Sequence, residues 1–375
     1  MRFIHTADWQ LGMTRHFLDP DAQARFTAAR IDAISRIGQV AHDQSCAFVV
    51  VCGDVFETNH VERRVVVRAL EAMEAAAVAF YLLPGNHDPL DASSVFTSAT
   101  FRRHQPANVH VLDRAGVHVV APGVELIAAP WTSKRPLVDL CAAATSGVDA
   151  DGIIRIVAGH GAVDSLSPDP TDPALIGTVA AEATLASGCA HYVALGDRHS
   201  TTQVGTSGRI WYSGAPEPTD YDEVDPGNVL VVEASTTHIQ VTPVALGTWR
   251  FVRRSVPLDS VADIDQLGQW LDSLPGKART IVKLSLVGTI SLTASARLDE
   301  VLEHHSDLLG ALEIWARHTD LVVLPDELDL DEFDLGGFAK EAVADLHQSA
   351  VGGAPEAEAA RDALALLYRL ASVAS

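Results

Sequence analysis

Residues 1–245 predict an α/β sandwich around a mostly parallel sheet, and three observations lead there. Uniformly apolar, β-branched runs such as Cys46–Cys52 (CAFVVVC) and Val78–Leu83 suit strands covered on both faces. These runs alternate with stretches of helical periodicity, the rhythm of strand–helix–strand units. From about residue 249 the rhythm restarts on a smaller scale, which predicts a separate α+β module.

The elements follow in order. Residues 2–6 alternate and end at Ala7-Asp8, as a strand delivering an acid to a loop. Asp19-Pro20-Asp21 starts a helix that keeps Phe26, Ala29, Ile31, Ile34, Ile37 and Val40 in period. The strand at 46–52 closes on Gly53, a helix follows over about 60–77, and the strand at 78–83 closes on Pro84-Gly85. Strand-like runs recur at 117–129, 153–158 and 191–195, with helical stretches near 133–145 and 178–186. Short β runs at 201–205, 209–213, 228–234 and 238–244 extend or flank the sheet. The later module reads as strand 249–256, helix 260–274, strand 279–287, helix 294–305 and strand 311–317. An acidic connector, Pro325–Asp334, separates it from two final helices at about 336–349 and 356–371.

Composition narrows the function. The chain has 375 residues, 47% hydrophobic and 20% charged, which excludes a disordered or low-complexity protein. Its net charge of -22 is the wrong sign for a free-standing, non-specific DNA coat. Contact with nucleic acid would need a local basic patch, a bound cation or a partner. The four cysteines are widely spaced and read as buried thiols of a reducing compartment. The N-terminus opens directly into strand-like sequence without a signal region, and no apolar run reaches the roughly 20 residues a membrane span needs. A soluble cytoplasmic protein is the expectation.

The chemistry gathers at the strand ends. Asp8-Trp9-Gln10, Gly53-Asp54, Gly85-Asn86-His87-Asp88, Gly159-His160 and Gly196-Asp197-Arg198-His199 each follow a predicted strand. In an open α/β sheet the carboxyl ends of strands are where ligands bind, so these five loops can converge on one site. Carboxylate oxygen, amide oxygen and neutral imidazole are donors that divalent metals accept, and the absence of cysteine argues against structural zinc. Asp8, Gln10, Asp54, Asn86, His160, Asp197 and His199 are too many donors for one tetrahedral ion. They suit two ions sharing a bridge, with Asp54 the bridging candidate. Two ions about 3.5–4 Å apart can polarise a phosphoryl group, supply a hydroxide nucleophile and stabilise the leaving oxygen. The plain alternatives are helix caps for Asp8 and Asp54, satisfied loop histidines for His160 and His199, and a turn-closing role for His87. His5 is as well placed in a core as behind a site.

The ordered motifs DxQ, GD, GNHD, GH and GDxH resemble the calcineurin-like metallophosphoesterase superfamily. The segments His5–Gly12 and Tyr212–Pro218 (YSGAPEP) resemble its SbcD branch, the nuclease subunit of a bacterial double-strand-break repair complex. The likeness covers roughly residues 1–245. It implies a metallophosphoesterase β-sandwich flanked by helices, an α+β cap over 246–324, and a linker with C-terminal helices over 325–375. It further implies one metal on Asp8, Gln10, Asp54 and His199 and a second on Asp54, Asn86, His160 and Asp197. His87 would be the general acid or phosphate-orienting imidazole, with Asp88 fixing its ring.

Two positions depart from that pattern: Gln10 and Asp197 stand where the family has His. Both replace nitrogen by oxygen, which shifts the expected metal from zinc toward manganese or magnesium. Local basic clusters occur at Arg63, Arg64 and Arg68, at Lys134-Arg135 and at Arg253-Arg254, where DNA contact and ordinary surface pairing are equally open. Ala360, Ala363, Leu364, Leu367, Leu370 and Ala371 form an apolar stripe, whose plain use is packing within this chain. The resemblance makes it a docking stripe for an SMC-type coiled-coil ATPase (SbcC-like), and implies a homodimer. The leading expectation is a metal-dependent DNA nuclease of an SbcCD-like complex. The alternatives are a small-molecule or nucleotide phosphodiesterase, and a catalytically degenerate scaffold subunit for the ATPase.

Overall fold

The computed structural model describes residues 1–324, 338–351, 359–360 and 363–364. They divide into two compact units, Met1–His16 with Gln23–Arg250, and Phe17–Ala22 with Phe251–Ser375. Among the described residues no helix is long and apolar enough to cross a membrane.

The first unit contains strands β1 (Arg2–Thr6), β2 (Phe48–Cys52), β3 (Ala79–Leu83), β4 (Val109–Val111), β5 (Gly116–Ala121) and β6 (Val124–Ala128). It continues with β7 (Ile154–His160), β8 (Tyr192–Gly196), β9 (Thr202–Val204), β10 (Ile210–Tyr212), β11 (Asn228–Ala234) and β12 (Ile239–Ala245). Helices α1 (Pro20–Asp43), α2 (Arg63–Ala75), α3 (Ala99–His104), α4 (Leu140–Thr145) and α5 (Thr178–Ser187) lie between them. The strands form two six-stranded sheets, ordered β12-β11-β1-β2-β3-β4 and β5-β6-β7-β8-β10-β9. In the first, β1 to β4 are parallel and β11 is antiparallel to β1. In the second, β6, β7, β8 and β10 are parallel, with β5 and β9 antiparallel at the edges.

Alternate residues of the buried strands feed different cores. Phe48, Val50 and Cys52 of β2 meet Leu126, Ile156, Ala158, Tyr192 and Ala194 of the other sheet. Val49 and Val51 face away, packing with Ile34, Ile37, Leu70 and Met73 of α1 and α2. A third core joins Val157, Val193 and Leu195 to Cys141, Ala144 and Leu185 of α4 and α5. The layers therefore run helix, sheet, sheet, helix, and strands covered on both faces have no room for polar alternation. This is the helix-flanked β-sandwich of the sequence reading, with two mixed sheets in place of one mostly parallel sheet.

Three local expectations change. The run at 117–129 is a hairpin, because Pro122-Gly123 turns the chain and Gly123 adopts φ 74°. The helix expected over 133–145 forms only at Leu140–Thr145, where the Asp139 carboxylate accepts from Ala142 N–H at 2.9 Å and starts it late. Of the thiols expected to be buried, Cys52 and Cys141 are, while Cys46 and Cys189 are half-buried.

The second unit contains β13 (Arg250–Leu258), α6 (Val261–Ser273), β14 (Thr280–Ser291), α7 (Leu292–Ser306), β15 (Ala311–Ile314), β16 (Asp320–Leu324) and α8 (Phe338–Val351). The strand expected over 311–317 stops at Ile314. The twelve-residue β14 pairs in parallel with β15 through Ile281–Leu284 and with β16 through Val287–Ser291. Leu258, Ile264, Leu271, Val282, Leu284, Leu298 and Val301 form its core. The acidic connector 325–334 lies outside the described residues, as does most of the helix expected over 356–371. Ala360 and Leu364 of its stripe are described and buried.

Candidate metal centre

The five polar loops meet because the parallel strands that carry them end together. The loop after β1 is tied to the loop after β2 by Asp8 N–H to the Gly53 carbonyl at 3.1 Å and Gln10 N–H to the Asp54 carbonyl at 2.8 Å. The loops after β7 and β8 are tied by Gly161 N–H to the Gly196 carbonyl at 3.1 Å. Asp8, Gln10, Asp54 and Asp197 have φ of 55°, 43°, 53° and 102°. They are four of the seven non-glycine residues with positive φ among the described residues, each a strained conformation costing about 1–3 kcal/mol. Strain held at four positions of one site marks side chains aimed there by the surrounding structure. Two glycines allow the close approach. A Cβ on Gly53 would stand 2.1 Å from the His160 ring, and one on Gly85 2.2 Å from Asp54 Oδ1.

All seven sequence-predicted donors come together. One donor atom each from Asp8, Asp54 and His160 lies within 4.8 Å of the other two. His160 Nε2 is 3.4 Å from Asp54 Oδ1 and 3.9 Å from Asp197 Oδ1. Asp197 N–H donates to both Asp8 carboxylate oxygens, at 3.0 and 3.1 Å. Gln10 Nε2 is 3.2 Å from His199 Nε2.

The donors fit cations. His160 Nδ1 is 2.8 Å from the Cys52 carbonyl, which only accepts, so the neutral ring turns a lone pair on Nε2 inward. One end of the Asn86 amide lies 2.7 Å from that Nε2 and 3.1 and 3.2 Å from the Asp54 oxygens, all three acceptors. With a cation bound, that end is the amide oxygen; without one, turning the amide over puts its NH2 there. Gln10 Oε1 is buried with no hydrogen-bond partner. An orphaned oxygen and a ring of facing acceptors are what a ligand shell looks like. Residues 1–172 match the calcineurin-like phosphoesterase family. No curated protein matches the sequence. Among solved structures, TT1561 of Thermus thermophilus is similar with 8% identity and a TM-score of 0.40. A dimetal phosphatase from Danio rerio is similar with 12% identity and a TM-score of 0.39. Each match covers 64% of this chain and 98% of the other.

Electrostatics of the site point the same way. Burial pushes the Asp8 carboxyl up to about 7, with Asp54 and Asp197 adding to it and His199 and His160 opposing. Burial also raises Asp197. Burial alone would lower His160, but Asp54, Asp8 and Asp197 override it and hold the imidazole at about 9. The cluster thus attracts protons in place of metal. An unpaired buried carboxylate costs several kcal/mol, and divalent ions are the compensation that leaves every donor satisfied.

Beside the donors an open cleft of 560 Å³ is lined by Gln10, Arg15, Glu57, His87, Asp197, Arg198, His199 and Glu223, among others. The His87 ring reaches it with Nδ1 2.9 Å from the Glu57 carbonyl, so Nδ1 carries the proton and Nε2 faces the cleft, 4.0 Å from Asp54 Oδ2. Asp88 differs from expectation. Its carboxylate accepts from Gly85 N–H at 2.8 Å and Phe56 N–H at 2.9 Å, bracing the two loops that hold Asp54 and Asn86, and the Glu57 carbonyl takes the His87 ring. Burial and then Asp54 push Asp88 up to about 7 against those two N–H groups. His5 is a buried scaffold residue, 3.0 Å from the Tyr192 hydroxyl and 3.1 Å from the Leu195 carbonyl.

Sequence reasoning missed Glu223 and Thr219. Glu223 Oε1 is 3.1 Å from His199 Nδ1, and the Thr219 hydroxyl is 2.6 Å from the same nitrogen. Glu223 also accepts from Thr219 N–H and Oγ1–H. A carboxylate behind a ligating imidazole fixes its tautomer and strengthens it as a donor. The segment Tyr212–Pro218 has a bracing role: buried Glu217 pairs with Arg36 and accepts from Thr248 N–H at 2.8 Å and Trp249 N–H at 3.1 Å.

Proposed function

We propose that this chain is a metal-dependent DNA phosphodiesterase, the nuclease subunit of an SbcCD-like repair complex, working with two manganese ions. Hydrolysis of a phosphoester is carried by one observation: Asp8, Asp54 and His160 cluster within 4.8 Å, with Asn86 and Asp197 against His160 and Gln10 against His199, beside a cleft that His87 lines. DNA as substrate rests on the resemblance of His5–Gly12 and Tyr212–Pro218 to the SbcD branch. Manganese rests on the oxygen-rich donor set, in which the His160 and His199 imidazoles are outnumbered by the oxygens of Asp8, Gln10, Asp54, Asn86 and Asp197.

Asp8, Gln10, Asp54 and His199 would hold one ion and Asp54, Asn86, His160 and Asp197 the other. Bound there, divalent ions supply Lewis-acid polarisation of the phosphoryl group and of water. The protein does the rest. Glu57 and Asp54 hold His87 at the edge of the cleft, where protonated Nε2 donates to the leaving oxygen. Glu223 and the Cys52 carbonyl keep His199 and His160 in the ligating tautomer. Asp88 locks the spacing of the Asp54 and Asn86 loops. Arg15 and Arg198 are the cations lining the cleft, placed to meet the substrate's other phosphate oxygens.

One observation favours a smaller substrate. Glu57, Asp197, Asp220, Asp222 and Glu223 make the cleft acidic, which opposes a polyanion more than a mononucleotide diester. Manganese-supplemented hydrolysis of linear DNA beside a chromogenic phosphodiester, with wild type and His87→Ala, decides. DNA cleavage lost in the variant supports the nuclease. Cleavage of the small ester alone supports the second reading, and no metal-dependent turnover supports a scaffold. Docking of an SMC-type ATPase on the C-terminal stripe is part of the proposal, and recovery of the ATPase after deletion of residues 352–375 would contradict it.

A further inference from the structure

In the second unit, Asp272 lies in the last turn of α6, and His304 and His305 lie in the last turn of α7. One donor atom from each falls within 4.8 Å of the other two. His305 is buried, with Nδ1 2.7 Å from the Val301 carbonyl. Nδ1 therefore carries the proton, and the neutral ring turns a lone pair on Nε2 toward Asp272 Oδ1, 3.3 Å away. Two acceptors then face each other across a gap that a proton or a metal ion must fill. Ligands in tetrahedral array around zinc, with bonds of about 2.0–2.1 Å, stand roughly 3.3–3.4 Å apart. The His305–Asp272 separation matches one such edge, and the other two donor pairs lie within 4.8 Å.

The surroundings favour positive charge. Two helices end here, and each C-terminus carries partial negative charge. Lys277 Nζ is 2.9 Å from the Asp272 carbonyl and 3.4 Å from its Oδ1, so the carboxylate already draws a cation that an ion would share or displace. A cavity of 420 Å³, also lined by Asp265, Gln269, Arg297 and Glu300, adjoins the cluster and leaves room for a water or an external ligand in a fourth position.

We propose that Asp272, His304 and His305 bind a zinc-class divalent ion that staples the ends of α6 and α7. Two imidazoles among three donors select zinc or cobalt over manganese, the reverse of the oxygen-rich phosphoesterase centre. The full chain, stripped with chelator, is dialysed against Zn2+ alone, as wild type, Asp272→Asn and His304→Ala; both substituted side chains are exposed. Each variant is expected to bind one ion fewer than wild type, or that ion at least about tenfold more weakly, and to lose the visible bands of tetrahedral Co2+ when Co2+ replaces Zn2+. Phosphoesterase activity and metal-free thermal unfolding should be unchanged, which separates this site from the phosphoesterase reading. Equal stoichiometry, affinity and Co2+ spectra in all three proteins would overturn the proposal, leaving His305 as an imidazolium paired with Asp272.

Discussion

Glu223 holds His199 from behind: its Oε1 is 3.1 Å from Nδ1, which leaves Nε2 beside Gln10 and the donors. Burial would lower this imidazole, but the Glu223 hydrogen bond and Asp8 override it and raise it. Replacing Glu223 with Ala should weaken manganese binding about 10- to 100-fold, read by titration of the chelator-treated protein. Glu223→Gln, which can still accept through its amide oxygen, should lose less.

The proposed preference for manganese rests on Gln10 and Asp197. Gln10→His should raise zinc affinity relative to manganese by about tenfold or more in a competition titration, because imidazole ranks above amide oxygen for zinc. Tight zinc in wild type at full occupancy, with activity indifferent to manganese, would contradict this account of the two departures.

Gly85 makes room for Asp54. Because an added Cβ would stand 2.2 Å from Asp54 Oδ1, Gly85→Ala should displace the Asp54 carboxylate and reduce bound manganese to less than one equivalent. The same Cβ would stand 2.5 Å from the Asp54 backbone nitrogen, so the loop after β2 should shift with the carboxylate while circular dichroism of the strands and helices stays as in wild type.

His5 makes stability depend on pH. Burial lowers its folded value to about 3, against the hydrogen bond to Leu195, from the ordinary 6.5. Below pH 6.5 the unfolded chain takes up a proton that the folded chain refuses until about pH 3. Stability is therefore lost as pH falls through that window, by up to about 1.4 kcal/mol per pH unit. In urea unfolding between pH 6.5 and 4.5, His5→Asn should flatten the slope by that amount relative to wild type.

The site was legible where chemistry is punctuated. Gly53, Gly85, Gly159 and Gly196 each close an apolar strand and precede a donor, so the sequence marks both the turn and the ligand. Glu223 carries no such mark. It lies among Asp220, Asp222 and Asp225, and only the fold shows which carboxylate stands behind His199. The resemblance makes Asp88 the partner of the His87 ring, whereas its neighbours in space are two backbone N–H groups. The layered fold was readable because strands covered on both faces are apolar throughout. Sheet count was not, because the hydrophobicity of β2 and β7 is the same whether one sheet holds both or two sheets pack on each other. The pairing of β16 with the second half of β14 likewise depends on contacts that no local pattern encodes.

The central claim is that Asp54 joins two cations held by these seven donors. Crystals grown with manganese and measured at its absorption edge test it most directly. The account predicts two anomalous peaks about 3.5–4 Å apart flanking Asp54, one beside Gln10 and His199 and the other beside Asn86 and His160. A single peak, or none within bonding distance of Asp54, would contradict it.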